Sequence, residues 1–487
     1  MAANRIPPVP HNPRRRASRG KPLALGFMCA ALVGAIGVGL YRGLGASLWT
    51  TLNREIVGTP LYLPLGAFGL MRWTLWLCKK IPAAFYRPIT APYWTSSTIV
   101  TPVYDEDPVI FRRAIESWQV NWPDAIIAVI DETDTACIAI AREYPDISVI
   151  VTATPGKRPA LADGILAATT DIVVLVDSDT IFEPRVLERI LKPFADPRIG
   201  GVGTRQKVYI RGTVWQRIAD MFLDIRYEDE APALTRMGQA LSCLSGRTAA
   251  YRRAVVLPLL DDFLGETFFG KPCMSGEDKR LTNLVLKAGY NTYYQGDALV
   301  WSTFPPDFTT FIKQRIRWTR NSYRCDLRAM WEGWVWKHWY LSFQLFDKSI
   351  SPYTLLLGLT FFLWSLLNGH WSVSLLIIGW WLTSRTVKLW PHLRRYPQDF
   401  ALLPVFIGVT FLMTFVKAYA LSTVHHHKWL TRRVEVVNGE TVRSNSAQAS
   451  RPDRTPFLTR AAGSMIMMTI LGAVQLAAWA LLRTVTR

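Results

Sequence analysis

The chain has 487 residues, of which 50% are hydrophobic and 20 are tryptophan, and its formal net charge is +19 at pH 7. This length exceeds one typical domain, and the hydrophobic content is high for a purely soluble protein. The basic residues stand beside apolar segments, which favours anionic membrane lipid as their partner and argues against nucleic-acid binding. The six cysteines include no Cys-x-x-Cys pair, which argues against a disulfide framework or zinc site and suits a reducing cytosol.

Long apolar stretches predict a multi-pass protein of the plasma membrane. A stretch of about 20 apolar residues is long enough to cross a bilayer as a helix. The basic N-terminus lacks the small-residue cleavage site of a signal peptide, so we expect a cytoplasmic tail followed by a retained anchor. The segments predicted outside the catalytic domain are a tail at 1–21, two spans within 22–80 (22–41 and 56–78), two spans within 341–390 (349–369 and 371–384), a helix at 399–423, a cytoplasmic loop at 424–460 and a last span at 461–483.

For the helix predicted at 399–423, the alternation of membrane spans and the distribution of basic residues give opposite topologies. If its apolar part, 400–416, crosses the membrane, strict alternation places the loop 424–460 outside the cell. That loop carries seven Lys or Arg against three acids, which favours the cytoplasm. The apolar part is short, contains Pro404 and ends at Lys417, so we expect an interfacial or re-entrant helix. Six ordinary spans are the alternative.

The central segment, 87–312, has the pattern of one cytoplasmic catalytic domain in which strands and helices alternate. This alternation predicts an α/β fold with a mostly parallel, doubly wound sheet. The first strand is followed by no Gly-x-Gly-x-x-Gly and no Walker loop, which argues against a dinucleotide oxidoreductase and an ATPase. The predicted strands are 98–103, 125–130, 147–151 and 172–176, and the predicted helices are 109–120, 134–143, one beginning near 160, and 280–288.

Two carboxylates one residue apart, Asp177 and Asp179, follow the fourth predicted strand. Ligands of open α/β sheets bind beyond the carboxyl ends of the strands, where these acids fall. Carboxylates in that position can hold a hard divalent cation together with substrate phosphates. In isolation, the same pattern is equally typical of a helix cap or a solvated turn.

Four residues at the ends of the first three strands are candidates for binding a nucleotide. Tyr104 offers a ring for stacking on a base, and Asp131 offers an acceptor for a base or ribose. Lys157 and Arg158, in a Gly-Pro turn, can pair with phosphates. A turn aromatic, a helix cap and an exposed basic turn are the alternative interpretations.

Two later clusters of residues are candidates for a general base and for a face that binds diphosphate and sugar. Glu277 and Asp278 begin a predicted helix, where acids commonly cap the first turn but can also act as a general base toward a sugar hydroxyl. Gln314, Arg317 and Trp318 share one face of an amphipathic helix in the interface segment 313–340. That face can bind a diphosphate and stack on a sugar, or it can lie on a membrane surface.

In this order, the motifs resemble those of the processive family 2 glycosyltransferases, which include hyaluronan synthases, chitin-oligosaccharide synthases and, more distantly, cellulose synthases. The resemblance covers residues 100–432. The matching motifs are Pro102-Val103-Tyr104, Asp131, Gly156-Lys157-Arg158, Asp177-Ser178-Asp179, the segments 244–252 and 276–282, Gln314-x-x-Arg317-Trp318 and Trp429-Leu430-Thr431-Arg432.

The resemblance implies a GT-A fold between membrane helices, a UDP-sugar donor, and Mg²⁺ or Mn²⁺ as cofactor. It also implies an inverting displacement with Asp278 as base, Asp179 as metal ligand, and export of the polymer through a channel in the same chain. The resemblance also implies a catalytic role for Glu277, beside Asp278, and nucleotide binding by Tyr104, Asp131, Lys157, Arg158 and Asp177. It implies an acceptor site formed by Ser245, Tyr251 and Arg252, and a wall at the mouth of the channel formed by Gln314, Arg317 and Trp318. The implied loop that closes over the nucleotide contains Trp429, Thr431 and Arg432.

Departures from the hyaluronan synthase pattern leave the product open between hyaluronan-like, chitin-like and glucan-like polymers. The chain has Glu277 where hyaluronan synthases usually carry Asp, and Leu430 where they carry Gly. We expect a UDP-sugar, a growing polysaccharide and membrane lipid as partners, and either a monomer or a homo-oligomer. The alternatives are a non-processive transferase acting on a lipid carrier and a transporter with a nucleotide-binding domain.

Overall fold

The computed structural model describes residues 68–424, 434–437 and 440–443. The predicted spans 22–41 and 461–483 lie outside the described residues, as does 56–67 of the second predicted span. The loop residues Trp429, Thr431 and Arg432 also lie outside them.

Ten strands belong to the catalytic domain, and two more pair with each other near the C-terminus of the described part of the chain. The strands are Ser97–Val103 (β1), Ala125–Asp131 (β2), Ile147–Thr152 (β3), Ile172–Val176 (β4), Ile181–Phe182 (β5), Ile199–Val208 (β6), Thr248–Arg252 (β7), Thr267–Phe268 (β8), Lys271–Pro272 (β9), Asn291–Ser302 (β10), Val434–Val437 (β11) and Glu440–Arg443 (β12).

The helices include short ones around the sheet and long ones that follow the catalytic domain. They are Phe68–Ala84 (α1), Pro108–Gln119 (α2), Thr135–Arg142 (α3), Lys157–Ala167 (α4), Val186–Leu191 (α5), Val214–Ile225 (α6), Ala231–Gly238 (α7), Arg253–Val256 (α8), Leu260–Leu264 (α9), Glu277–Lys287 (α10), Phe308–Trp331 (α11), Trp339–Leu367 (α12), Trp371–Arg395 (α13) and Leu403–Ser422 (α14).

The main sheet has eight strands in the order β3-β2-β1-β4-β7-β6-β10-β5. The first four form the parallel half that the sequence predicts. In the other half β6 and β10 are also parallel, but the prediction of a mostly parallel sheet misses that β7 lies antiparallel between β4 and β6 and that β5 is antiparallel to β10. The sheet is therefore mixed, and the insertion of β7 brings the segment before it to the carboxyl end of β4.

Helices cover both faces of the sheet. Successive residues of a strand point to opposite faces, so each strand contributes side chains to the helices on both sides. Val173 and Leu175 pack into one hydrophobic cluster with α4 and α6. Ile172, Val174 and Val176 pack into a second cluster with α2, α3 and α5. The strand β4 is thus buried on both faces, as its uninterrupted apolar sequence predicts.

Within the described residues, Trp339–Leu367 and Pro397–Ser422 are long and apolar enough to cross a membrane. The second of these includes a 3₁₀ turn and α14, a helix of 20 residues that continues past Lys417. The helix is therefore longer than the apolar stretch 400–416 indicates, and its placement as an interfacial or re-entrant helix stays a prediction. The predicted interface segment 313–340 corresponds to most of α11 and a 3₁₀ turn at Trp334–Lys337.

A buried ion network joins the catalytic domain to α13. The ring of His392, which is fully buried, lies 2.7 Å from Asp224 of α6 through Nδ1 and 2.7 Å from Asp399 through Nε2. Lys207 Nζ lies 2.6 Å from Asp224 Oδ1 and 3.4 Å from Asp220 Oδ1, and Arg211 and Arg217 pair with Asp399, so lysine and arginine side chains supply positive charge among these acids. We call His392, Asp224 and Asp399 the histidine clasp.

Replacing His392 by Ala should destabilise the protein by about 1–3 kcal/mol, since it removes two buried hydrogen bonds while lysine and arginine side chains still neutralise Asp224 and Asp399. Thermal unfolding of the detergent-solubilised chain measures the effect. His338→Ala is the control, because no carboxylate lies within 4.0 Å of that ring in the described part of the chain. Equal shifts in Tm for the two variants would contradict a stabilising role for the clasp.

Candidate active site

Lys157 connects two acids that come from distant parts of the chain. Its Nζ lies 2.5 Å from Asp177 Oδ1, just beyond β4, and 2.8 Å from Glu277 Oε1, at the start of α10. Burial alone would raise the pKa of Glu277, but the ion pair with Lys157 outweighs it and lowers that pKa to about 2. Glu277 is therefore a charged anchor for Lys157 at neutral pH, and the pair draws α10 toward the carboxyl end of the sheet.

Asp278 lies next to this ion pair and faces a large cavity. Its Oδ2 accepts a hydrogen bond of 3.3 Å from the amide of Gly246 and lies 3.6 Å from the Cys243 thiol. The residue stands in the first turn of α10, where the helix dipole stabilises a carboxylate. A carboxylate that reaches the cavity can accept a proton from a bound hydroxyl.

The turn before α10 is held by buried arginines. The carbonyl of Ser275 accepts hydrogen bonds from Arg158 Nη2 (3.2 Å) and Arg324 Nη2 (2.8 Å). Arg158 is itself paired with the buried Glu266. The structure thus corrects the expectation for Arg158, whose guanidinium is directed into the protein to position the turn and does not line the cavity.

Of the three expected acceptor-site residues, one lies at the cavity. Ser245 lines it. Tyr251 is almost fully buried, with its hydroxyl 3.3 Å from Thr282 Oγ1, so it packs beneath the site. Arg252 bonds to the carbonyls of Ile199 and Phe194 at the far end of β7. The antiparallel direction of β7 explains this correction, because it carries residue 252 away from the end of β4.

Asp179 is bound to the loop after β10. Its Oδ2 accepts hydrogen bonds from the hydroxyl and the amide of Thr303. Burial and the charge of Asp177 raise the pKa of Asp179 above its usual range, while Arg247 acts in the opposite direction. The cavity wall includes Asp177 but not Asp179. Two carboxylate groups this close, one of them with a raised pKa, fit a hard divalent cation such as Mg²⁺ or Mn²⁺ that would relieve their repulsion.

The predicted face of α11 lies on the same cavity, which Gln314, Arg317 and Trp318 all line. Within the described residues, Gln314 Oε1 is buried without a hydrogen-bond partner. Two guanidinium groups flank the Trp318 ring, with Arg247 Cζ 5.3 Å and Arg315 Cζ 5.1 Å from its centroid. The face therefore offers an apolar ring between two positive charges, together with a hydrogen-bond acceptor, Gln314 Oε1, that has no partner among the described residues.

Arg247 and Arg315 were not among the predicted site residues. Burial, followed by the charge of Arg247, lowers the pKa of Arg315 to about 9. Both line the cavity, and an anion placed between them would offset this repulsion. The sequence offers a weak signal for each, since Arg247 belongs to the segment 244–252 and Arg315 follows Gln314 directly.

A smaller pocket beside Lys157 is lined by Tyr104 and Asp131. Asp131 is buried, and its Oδ1 accepts hydrogen bonds from the amide (3.0 Å) and hydroxyl of Thr133. Gly156 also lines this pocket and has φ +131°, a conformation that side chains rarely adopt. The structure thus brings together three of the four predicted nucleotide contacts from the first three strands.

The large cavity, of about 690 Å³, extends from the acids into the helices that follow the catalytic domain. At one end its wall contains Asp177 and Asp278, and at the other it contains residues of α1, α12, α13 and α14. The catalytic candidates and the long helices therefore share one continuous space.

Comparison with known proteins identifies the family of the chain and the class of reaction. The family described as "Glycosyltransferase like family 2" matches residues 96–321. An N-acetylglucosaminyltransferase of a Rhizobium species is 30% identical over 355 residues, which cover 70% of this chain and 78% of the relative. The chain belongs to glycosyltransferase family 2. It is a sugar-nucleotide-dependent glycosyltransferase, as its motifs predict.

Two further comparisons extend this result. An N-acetylglucosaminyltransferase of Mesorhizobium japonicum is 29% identical over 371 residues, covering 73% of this chain and 86% of the relative. Among solved structures, a mannosyltransferase of Pyrobaculum calidifontis in complex with GDP-Man and Mn²⁺ matches with a TM-score of 0.50 at 19% identity. It covers 72% of this chain and 96% of the mannosyltransferase, and supports a GT-A-like fold for the glycosyltransferase described here.

We expect Asp278→Asn to reduce turnover of the glycosyltransferase by about 10²–10⁴-fold, the usual contribution of a general base. Donor binding should change little, because a base acts on the barrier and not on ground-state affinity. Isothermal titration of the donor and an assay of UDP release measure the two quantities. Asp262→Asn, an exposed acid, is the control, and a variant at position 278 with more than a few per cent of activity would exclude this role.

The raised pKa of Asp179 predicts that divalent-cation binding depends on pH. Only the deprotonated carboxylate binds the cation, so affinity should be complete above that pKa and fall as pH decreases through it. The fall should begin at a higher pH than the value of about 3.9 of an ordinary Asp. Mn²⁺ binding followed by electron paramagnetic resonance over a pH series measures this. Asp179→Asn should bind weakly with a flatter profile, and an unchanged profile would contradict the assignment.

Proposed function

We propose that this glycosyltransferase is a membrane-embedded, processive enzyme that polymerises a β-linked polysaccharide from UDP-sugars and exports it through its own channel. The observation that carries the proposal is the continuous cavity, which contains Asp278 at one end and faces of four long helices at the other. An enzyme that releases its product to the cytoplasm has no need of such a path.

In this proposal the donor lies across the carboxyl ends of β1, β2 and β4. Tyr104 and Asp131 contact the nucleoside, and Asp177 and Asp179 hold the diphosphate through Mg²⁺ or Mn²⁺. Lys157 lies between the nucleoside pocket and the acids, so it is placed to contact the diphosphate. The metal, when bound, supplies positive charge to the leaving group. The complex of the Pyrobaculum mannosyltransferase with both GDP-Man and Mn²⁺ is consistent with a divalent cation at this site.

The transfer itself is a single displacement. The acceptor hydroxyl gives its proton to Asp278, and its oxygen forms a bond to the anomeric carbon of the donor sugar. The bond between that carbon and the diphosphate oxygen breaks on the opposite side, and UDP leaves with the electron pair. The anomeric configuration is inverted, so an α-linked donor yields a β-linked polymer. Arg317 is placed to compensate the charge of the leaving diphosphate.

The acceptor end of the polymer is proposed to rest on the α11 face. Trp318 offers a flat surface to a sugar ring, and the unpaired Gln314 Oε1 can accept a hydrogen bond from a sugar hydroxyl. The loop containing Trp429, Thr431 and Arg432 is proposed to close over the nucleotide from the cytoplasmic side. Because two relatives are named N-acetylglucosaminyltransferase, UDP-N-acetylglucosamine is the first donor to test.

The membrane part of the proposal rests on α12, which is long and apolar enough to cross, and on α14, which we propose to be re-entrant so that the loop after it stays on the cytoplasmic side. Both line the cavity. A channel between these helices and α13 would place the catalytic domain on the cytoplasmic side, where UDP-sugars occur, and the exit on the other side of the plasma membrane.

Trp318→Ala should shorten the polymer at least tenfold while reducing hydrolysis of the donor by water much less, since the ring contacts the acceptor and not the donor. Membranes are incubated with Mg²⁺ and radiolabelled UDP-sugars, and the products are sized. Trp331→Ala is the matched control, because this tryptophan belongs to the same helix and is 92% exposed.

The wild-type products test the proposed function itself. A long polymer supports it. A single sugar on a lipid would identify the non-processive alternative, and an absence of any transfer would exclude both. Equal loss of elongation and hydrolysis in Trp318→Ala would show that the ring has only a structural role.

A further inference from the structure

A small hairpin precedes the turn that begins α10. Its strands β8 and β9 form a two-stranded sheet of their own, and the loop between them is Phe269-Gly270. The amide of Cys273 donates a hydrogen bond of 2.8 Å to the carbonyl of Glu266 and closes the hairpin at its base. Ser275 follows two residues later in the turn before α10, so the hairpin is directly attached to the segment that holds Asp278.

The loop of this hairpin holds an aromatic ring in an unfavourable position. Phe269 has φ +49° and Gly270 has φ +73°. Positive φ at both central residues is the pattern of a type I′ turn, in which Asn-Gly is a preferred sequence. A bulky side chain rarely adopts this conformation, and the ring of Phe269 is also 78% exposed. The folded chain gains nothing from this ring unless a partner covers it.

The hairpin is held firmly against the end of α11. Arg328 Nη1 lies 2.7 Å from Glu266 Oε1, and its Nη2 donates a hydrogen bond to the carbonyl of Thr267. The Arg328 guanidinium also lies over the ring of Phe268, with Cζ 5.9 Å from the centroid. These contacts come from three successive residues of the hairpin, so its position relative to α11 is fixed.

Exposed tryptophans continue from the same end of α11 into α12. Trp336 is exposed, and its Nε1 donates a hydrogen bond of 3.2 Å to the carbonyl of Met330 in the last turn of α11. Trp339 is exposed as well and begins α12, which is long and apolar enough to cross a membrane. Tryptophan is enriched where membrane helices meet water. The end of α11 therefore connects the hairpin to the part of α12 where a membrane interface is expected.

The charges beside these rings suit anionic lipid. Lys271 follows the hairpin loop and Lys337 stands between the two tryptophans, and both lysines are exposed. The acid nearest the loop in sequence, Glu266, is buried and paired with arginines. Exposed rings flanked by lysines are typical of surfaces that bind anionic headgroups. Lipid is also the one partner that could cover the hairpin and the apolar surface of α12 together.

We infer that the β8–β9 hairpin is a membrane contact of the catalytic domain, in which the Phe269 ring inserts among phospholipid headgroups beside the start of α12. The inference rests on the membrane embedding in the proposed function, which assigns no role to this hairpin. Because the hairpin leads into the turn before α10, the bilayer would bear directly on the segment that positions Asp278.

The test replaces Phe269 by the photoreactive p-benzoylphenylalanine in the full-length chain, in nanodiscs of phosphatidylcholine and phosphatidylglycerol. Irradiation should attach a phospholipid to the hairpin peptide, which mass spectrometry identifies. Trp122 is the matched control position, because it is 87% exposed, has φ +55° and precedes β2 at the end of the sheet opposite to Asp131. We expect about tenfold more lipid adduct at position 269 than at position 122, since only the hairpin reaches the interface.

The variant Phe269→Asn separates a membrane contact from a purely structural role. It creates the Asn-Gly pair that the turn prefers, so a structural role alone predicts slower amide hydrogen exchange in the hairpin. Loss of a lipid contact predicts the opposite, and we expect exchange of residues 267–272 in nanodiscs to become about tenfold faster. Trp122→Asn should leave exchange of the hairpin unchanged. Equal or slower exchange in Phe269→Asn would contradict the inference.

The other outcomes distinguish this inference from the proposed function. Polymer synthesis without a lipid adduct at position 269 would overturn the inference and leave the proposed function standing. A chain that does not enter nanodiscs would overturn both. A covalent dimer formed through position 269 would assign the surface to a second copy of the chain, and the inference would be wrong. A lipid adduct without polymer synthesis would support the hairpin contact and contradict only the processive reaction.

Discussion

The arrangement of the active site depends on the position of the Lys157 ammonium between Asp177 and Glu277. These two contacts tie the end of β4 to the start of α10, elements that are about a hundred residues apart. The segment before β7 must pass close to them, and Gly246 makes this possible. A Cβ at that position would lie 3.1 Å from Lys157 Nζ and 3.5 Å from Asp278 Cβ. The candidate acids at the end of β4 and the start of α10 are therefore positioned by one cation and one missing side chain.

Much of the site was predictable because its residues follow local rules. Carboxyl ends of buried parallel strands collect ligands, which placed Tyr104, Asp131 and Asp177 together, and helical spacing placed Gln314 and Trp318 on one face. Residues whose role depends on a distant partner were not predictable. Arg158 is basic and lies in a turn, yet its acceptor Glu266 is 108 positions away.

The direction of β7 is the main feature of the fold that the sequence did not indicate. Its five residues carry no pattern that distinguishes a parallel from an antiparallel neighbour. Because β7 runs antiparallel to β4, Ser245 reaches the cavity while Arg252 lies at the opposite end. The roles of Arg247 and Arg315 likewise become visible only when β7 and α11 are placed beside each other, with Trp318 between the two guanidinium groups.

Ion pairs, and not only apolar contacts, connect the catalytic domain to the long helices. Asp229 lies 2.6 Å from Lys80 on α1, Asp347 on α12 contacts two other cations of α1, and the histidine clasp attaches α13. Buried pairs contribute little net stability but have strict geometry, so they specify one relative placement of the parts they join. For a cavity that spans both parts this matters, since a shift of one ångström between Asp278 and the α11 face would separate a base proposed at Asp278 from an acceptor proposed on that face. The same contacts that attach the helices thereby fix the candidate acids relative to the part of the cavity that the helices line.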